Sequence, residues 1–219
     1  MPRLAAAAAV LRGPGWLPGP AGLRQVICQS AGPRAGQRIA AAAIVDGVMS
    51  FTIRPARTSD VPAIGKLIDS NVESGLLLSK ATVTLYEDVQ EFFVAEIEAD
   101  AELAGCGALH VLWEDLAEIR TVAVRPDCQG LGIGHAIIGA LLDRARAVGV
   151  DRVFCLTFAV SFFGHHGFQT INGTPVAAEV YQELLRSYDE GVAEFLDLDR
   201  VKPNTLGNTR MLLHLEPEQ

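Results

Sequence analysis

From Phe51 onward, short apolar runs alternate with polar breaks at spacings that predict a series of elements. Phe51-Thr-Ile-Arg-Pro55 reads as a first strand. Thr58-Ser59-Asp60 offers N-cap side chains, and Val61, Ile64, Leu67 and Ile68 follow at helical spacing. A second helical stretch is predicted over 83–92. Phe93–Ile97 and Leu103–Trp113 read as antiparallel strands joined by a turn at 99–102. Glu118–Val124 alternates, with Ile119, Thr121 and Ala123 on one side and Arg120, Val122 and Val124 on the other. A helix is predicted over 133–148, because Ile137, Ile138, Leu141, Leu142 and Ala145 form one face. Val153–Leu156 reads as a buried strand and Ser161–His166 as a short helix stopped by Gly167. A polar helical insertion over 177–189 and a last strand, Arg210–Leu215, complete the series. Strands paired mostly antiparallel, with one helix crossing between two of them, make an α+β fold with a mixed central sheet flanked by helices.

The first 48 residues do not share this pattern. They are rich in Ala, Gly, Pro and Arg, and Pro14, Pro18, Pro20 and Pro33 interrupt them. Their apolar runs, such as Ala5–Leu11, are far shorter than the roughly 20 residues that span a bilayer. The expectation is a disordered extension upstream of a natural start at Met49, with the folded domain over 49–219. An Arg-rich, acid-poor transit peptide is the alternative. Five arginines against Asp46 give this segment a net charge of +4, which leaves −12 on the remainder of a chain of net −8. A body that acidic argues against nucleic acid as a partner. The four cysteines form no CxxC pair, so neither a zinc cage nor a disulfide framework is indicated, and a reducing, cytoplasmic setting is expected.

Between the strand ending at Val124 and the helix starting at Ile133 lies Gln129-Gly130-Leu131-Gly132-Ile133-Gly134. Glycines let a backbone approach a ligand closely, and the amides at a helix N-terminus bind anions, so a diphosphate is the natural guest. The dinucleotide fingerprint G-x-G-x-x-G fits poorly: the third glycine comes one residue early, and the strands before it read as an antiparallel meander. Val122-Ala-Val-Arg-Pro-Asp-Cys-Gln129-Gly-Leu-Gly132-Ile-Gly134 instead resembles the acetyl-CoA signature of the GNAT N-acetyltransferase superfamily, with Gln129, Gly132 and Gly134 at its defining positions. Phe162-Phe163-Gly164-His165-His166-Gly167-Phe168 resembles that family's short helix ending in Gly-Phe, and the order of elements from Phe51 to Leu215 is similar throughout. The resemblance implies acetyl-CoA as co-substrate. The amides of Gln129, Gly130, Leu131, Gly132, Ile133, Gly134 and His135 would hold its pyrophosphate, and Val122 and Val124 its pantetheine arm. Phe163 stands where many GNAT enzymes carry a proton-donating tyrosine, so it is expected to pack against the cofactor while another group supplies the proton.

Attack of an amine on a thioester needs a base. Glu118, opening the strand that leads to the loop, is the best placed carboxylate. Gly75–Lys80, Glu118–Val124, Val153–Thr157 and the tail from Val201 to Leu213 further resemble the acetyltransferase domain of N-acetylglutamate synthases, particularly the short single-domain bacterial form. That resemblance implies L-glutamate or L-glutamine as the amino-acid acceptor, and N-acetylglutamate as the product opening arginine biosynthesis. It puts Glu118 at the base position, Thr157 at the acid position and Lys80 opposite a substrate carboxylate. A dicarboxylate pocket would draw on Lys80, Arg120, Lys202 and Arg210, since guanidinium grips carboxylate bidentately. One arginine of the family pattern is missing: Gly207 lies near its position, followed by Thr209 and Arg210. No amino-acid-kinase-like segment is read here, so the arginine-inhibition site of the two-domain synthases does not carry over. Exposed strand edges and the resemblance imply a homodimer. Neither a metal nor a membrane is expected. The competing readings are a transferase for polyamines, antibiotics or protein N-termini, and a non-catalytic acetyl-CoA sensor.

Overall fold

The computed structural model describes residues 50–72, 80–99, 101–196, 198 and 208–216. Seven strands make one sheet in the order β1-β2-β3-β4-β5-β7-β6. They are β1 Phe51–Pro55, β2 Phe92–Ile97, β3 Leu103–Trp113, β4 Leu116–Val124, β5 Arg152–Thr157, β6 Gln169–Thr170 and β7 Thr209–His214. Every neighbouring pair is antiparallel except β4 and β5. A parallel pair needs a crossover, and α3, Ile133–Ala147, supplies it. Helices α1 (Val61–Val72) and α2 (Thr82–Glu87) cover one face, packing Ile64, Ile68 and Leu85 against Phe92, Val94 and Ala108. On the other face α3 buries Ile133, Ile137, Ile138 and Leu141 against Ile53, Ala95, Leu109 and Val122, with α4 (Val160–Gly164) beside it. A third cluster joins Phe154, Leu156 and Leu212 to α5 (Ala178–Leu184) and α6 (Glu190–Phe195). The mixed, mostly antiparallel sheet between helices is the α+β architecture that the hydrophobic pattern predicts.

Two glycines set how close α3 comes. A Cβ on Gly107 would lie 2.8 Å from Ile137 Cγ2 and 3.1 Å from Leu141 Cδ1, and one on Gly105 would lie 2.9 Å from the Ala123 carbonyl. Replacing Gly107 with Val is therefore expected to lower stability by about 1–3 kcal/mol through overpacking. Urea unfolding of the variant checks this, and an unchanged midpoint would mean that α3 moves freely.

The structure departs from the sequence pattern in a few places. Thr58–Asp60 forms a 3-10 turn running into α1, not a lone cap, and the Asp60 carboxylate accepts the Arg57 amide at 2.7 Å. Asp60 also pairs with Arg54, which reaches Glu96 on β2 and so ties the start of α1 to two strands. The second helical stretch stops at Glu87. A 3-10 turn, Val89–Glu91, follows, and Phe92 already belongs to β2. The strict alternation of β4 fails at Thr121, whose φ of +57° inserts a bulge: Ala108 pairs Arg120 and Cys106 pairs Ala123. Ile119, Val122 and Val124 consequently share the α3 face, while Ala123 faces α1. The insertion over 177–189 contains α5; the two-residue β6 before it and α6 after it are both unannounced. The expected extension over 1–48, Lys202 and the segments 75–79 and 201–207 lie outside the described residues. No helix among the described residues is long and apolar enough to cross a membrane.

Candidate active site

The glycine loop folds as its local sequence dictates. Gly130 and Gly132 adopt φ of +79° and +82°, and a Cβ on either would meet nothing within 4 Å, so the concave side of the turn is open. Gly132 is the N-cap of α3, whose first helical bond runs from the Ala136 amide to the Gly132 carbonyl. The amides of Ile133, Gly134 and His135 therefore have no intrahelical acceptor, and the positive end of a 15-residue helix lies over an open turn. Gln129 donates its side-chain amide to the Val124 carbonyl, bracing the loop against β4.

The sheet opens beside this turn. β4 and β5 pair only from Leu116↔Arg152 to Glu118↔Phe154, after which Ile119–Val124 and Cys155–Thr157 run on unpaired with each other. Val122 and Val124 lie on the part of β4 that has no β5 partner. Glu118 stands where the strands part. It is 1 % exposed, and its Oε2 meets no hydrogen-bond donor among the described residues. Burial drives its pKa up from 4.5 to about 7; Arg120 opposes the rise and Asp189 adds to it. A carboxylate tuned to neutrality can take a proton from an amine at physiological pH.

Around Glu118 lies a network of charges. Arg120, 2 % exposed, gives Nη1 to Asp189 at 3.0 Å and Nη2 to Glu91 at 2.9 Å and to Asp88 at 3.3 Å. His110, directly across β3 from Glu118, holds Glu91 at 2.6 Å and lies 3.8 Å from Asp189. Burial works against its charged form, but the Glu91 hydrogen bond prevails and its pKa is raised. Lys80 lies 3.6 Å from Asp88, and its pKa is lowered chiefly by burial and then by Arg120. Arg120 thus binds carboxylates of the protein itself. Both of its terminal nitrogens are engaged in this way, while its buried Nε has no hydrogen-bond partner among the described residues.

Thr157, at the end of β5, is fully buried, and its Oγ1 accepts the Ala159 amide at 2.9 Å, so the hydroxyl proton remains to be donated. Across β7 it faces Thr209, and Arg210 follows with its guanidinium carbon 5.0 Å from the Phe154 ring centroid and 5.9 Å from that of Phe195. Lys80 is close enough to Glu118 to act on its charge, and Arg210 lies against Phe154, the residue paired with Glu118.

Comparison with known proteins identifies the family. Residues 69–168 match the acetyltransferase (GNAT) family model. An amino-acid acetyltransferase of Mycobacterium tuberculosis is 62% identical over 164 residues, 74% of this chain and 94% of the relative. This chain belongs to the GNAT acetyltransferase family. Among solved structures, Rv2747 from Mycobacterium tuberculosis in complex with CoA and NLQ superposes with a TM-score of 0.72 at 61% identity, over 75% of this chain and 99% of that one. The N-acetylglutamate synthase of Neisseria gonorrhoeae, complexed with coenzyme A and N-acetyl-glutamate, gives a TM-score of 0.60 at 27% identity over 76% of this chain; the match spans 35% of that longer protein.

In this acetyltransferase, α4 sets Phe163 in the core and Phe162 beside the loop. Phe163 is 0% exposed and packs edge-on against Phe162 and Phe168, 5.3 Å from each, in the core cluster that also holds Cys128 and Ile133. Phe162 is the residue beside the loop, 4.8 Å from the His135 ring, and His166 closes the group with a 2.9 Å contact to His135 Nδ1. Burial and the neighbouring histidines lower the His166 pKa to about 4, so the pair is neutral at physiological pH. Residues missed from sequence are Asp88, Glu91, His110 as an ion-pair partner, and Asp189. The available signal was a strand carrying both Glu118 and Arg120 within an otherwise apolar run.

Proposed function

We propose that this acetyltransferase transfers the acetyl group of acetyl-CoA to the α-amine of L-glutamate or L-glutamine. The observation that carries the reading is a buried Glu118 carboxylate, tuned to about 7, at the mouth of the slot between β4 and β5. Acetyl-CoA supplies the activated thioester. Its diphosphate fits the open turn, where Gly130, Gly132 and the first amides of α3 offer donors and leave room for them to be reached. Val122 and Val124 offer strand-edge backbone to the pantetheine arm. As the amine nitrogen bonds to the acetyl carbon and the C–S bond breaks, Glu118 takes the amine proton and the Thr157 hydroxyl donates a hydrogen bond to the departing thiolate, whose negative charge is balanced when Glu118 gives up that proton. Lys80, Lys202 and Arg210 are the cations proposed for the acceptor's carboxylates. The names of the relatives at 62% and 27% identity support an amino acid as acceptor, and N-acetyl-glutamate beside coenzyme A in one of them supports glutamate.

The test is free-thiol release from acetyl-CoA across a panel of amino acids, polyamines and N-terminal peptides. Glutamate or glutamine should lead the panel; a polyamine or peptide turned over faster would refute the assignment. Thr157→Val keeps the buried shape but removes the proton. Its kcat is expected to fall about 100-fold while the KM for acetyl-CoA stays within a factor of two or so. An unchanged kcat would reduce Thr157 to strand packing.

A further inference from the structure

We propose that Asp189, on the turn leading into α6, is a positioning residue for catalysis: it holds Arg120 away from Glu118 and so preserves Glu118 as a base. This rests on the function proposed above. Glu118 and Arg120 are two residues apart on β4, and both are buried, at 1 % and 2 % exposed. A buried guanidinium so near a buried carboxylate would ordinarily pair with it. Here it does not: Arg120 gives Nη1 to Asp189 and Nη2 to Glu91 and Asp88, while Glu118 Oε2 is left without a donor. Glu91 and Asp88 come from the segment between α2 and β2, and Asp189 from the turn that leads into α6.

Asp189 also fixes α6. Its Oδ1 accepts the Val192 amide at 3.0 Å, and the turn it caps brings Gly191 against the base. A Cβ on Gly191 would lie 2.5 Å from Glu118 Oε2, 3.0 Å from Asp189 Oδ1 and 3.3 Å from Arg120 Nη1. Only glycine lets backbone close over this corner without displacing the carboxylate. One acid therefore caps the helix, occupies the arginine and seats the glycine wall beside Glu118. The charged groups facing Glu118 are Arg120 on its own strand, His110 on β3, Lys80 ahead of α2 and Asp189 ahead of α6. Of these, Asp189 alone carries the sign that raises the Glu118 pKa.

Asp189→Asn is the decisive variant, because an amide oxygen still caps Val192 while the charge is gone. Arg120 should then turn toward Glu118, and the acid limb of the kcat/KM profile should move down by about one pH unit. Turnover at pH 8 should fall several-fold as the base weakens, with the KM for acetyl-CoA unchanged. Arg120→Gln should move the limb upward, and it serves if Asp189→Asn fails to fold. The same titration can be read without turnover from the infrared carboxyl band of protonated Glu118, identified by its loss in Glu118→Gln. A limb and band that stay in place in Asp189→Asn, or fail to rise in Arg120→Gln, would overturn the proposal. Movement of the band in a protein inactive on every amine would sustain the coupling while refuting the transferase reading.

Discussion

Replacing Gly132 with Glu is expected to abolish acetyl-CoA binding, weakening it well over about 100-fold by calorimetry. Two effects combine. At φ of +82° a residue with a Cβ is strained, at a cost of about 1–2 kcal/mol to the fold. The space around that Cβ is empty, so the side chain itself is accommodated in the open turn. What fills it, however, is a carboxylate placed at the amides and positive dipole end of α3, where the proposed diphosphate would sit. Gly149 supplies the control: it has φ of +86°, equally open surroundings and a place at the far end of the same helix. Gly149→Glu should cause a similar loss of stability and leave binding intact. Equal binding by both variants would show that the loop does not hold the diphosphate.

The loop was legible in the sequence because everything that shapes it is local: two glycines with positive φ, a helix start and the strand before it. The order of the long elements was legible for a related reason. Ile137, Ile138, Leu141 and Leu142 repeat over a full helix, and β3 and β4 are joined by a turn too short to hide their pairing. Where the reading slipped, a single residue carried the change. Thr121 at positive φ shifts the parity of β4, and no pattern of apolar positions announces that a threonine will take that conformation. Phe162 and Phe163 are neighbours on a five-residue helix, so one step of rotation decides which faces the loop and which enters the core. α6 had a signal in Val192, Phe195 and Leu196 at helical spacing, which the polar residues around Asp189 obscured.

The charge network was not legible for a different reason. Asp88, Glu91, His110, Arg120 and Asp189 come from four separate segments, and each alone resembles an ordinary solvated side chain. Only the sheet register, which sets His110 opposite Glu118, and the docking of α6 bring them together. Arg120 shows how this alters a functional assignment. A cation on an active-site strand suggests a substrate carboxylate; three protein acids around it also give it a place in the electrostatics of the base.

Glu118→Gln is expected to lower kcat by about 100-fold or more with little change in acetyl-CoA affinity, as loss of a general base would. In the wild type, kcat/KM should rise as pH passes through about 7, because the protonated carboxyl cannot accept the amine's proton. The variant should lose that limb. Stability should show the complementary effect. The folded-state pKa is raised, so Glu118 favours the fold while both states are protonated, and that contribution is lost as pH rises from the unfolded value through about 7. Between pH 6 and 8 the wild type should lose about 1 kcal/mol relative to Glu118→Gln, which carries no titrating group at this position. Paired urea titrations at the two pH values measure that difference. A rate profile and a stability gap that both ignore pH would mean that Glu118 is not the carboxylate that titrates, and the base would have to be sought elsewhere along the slot.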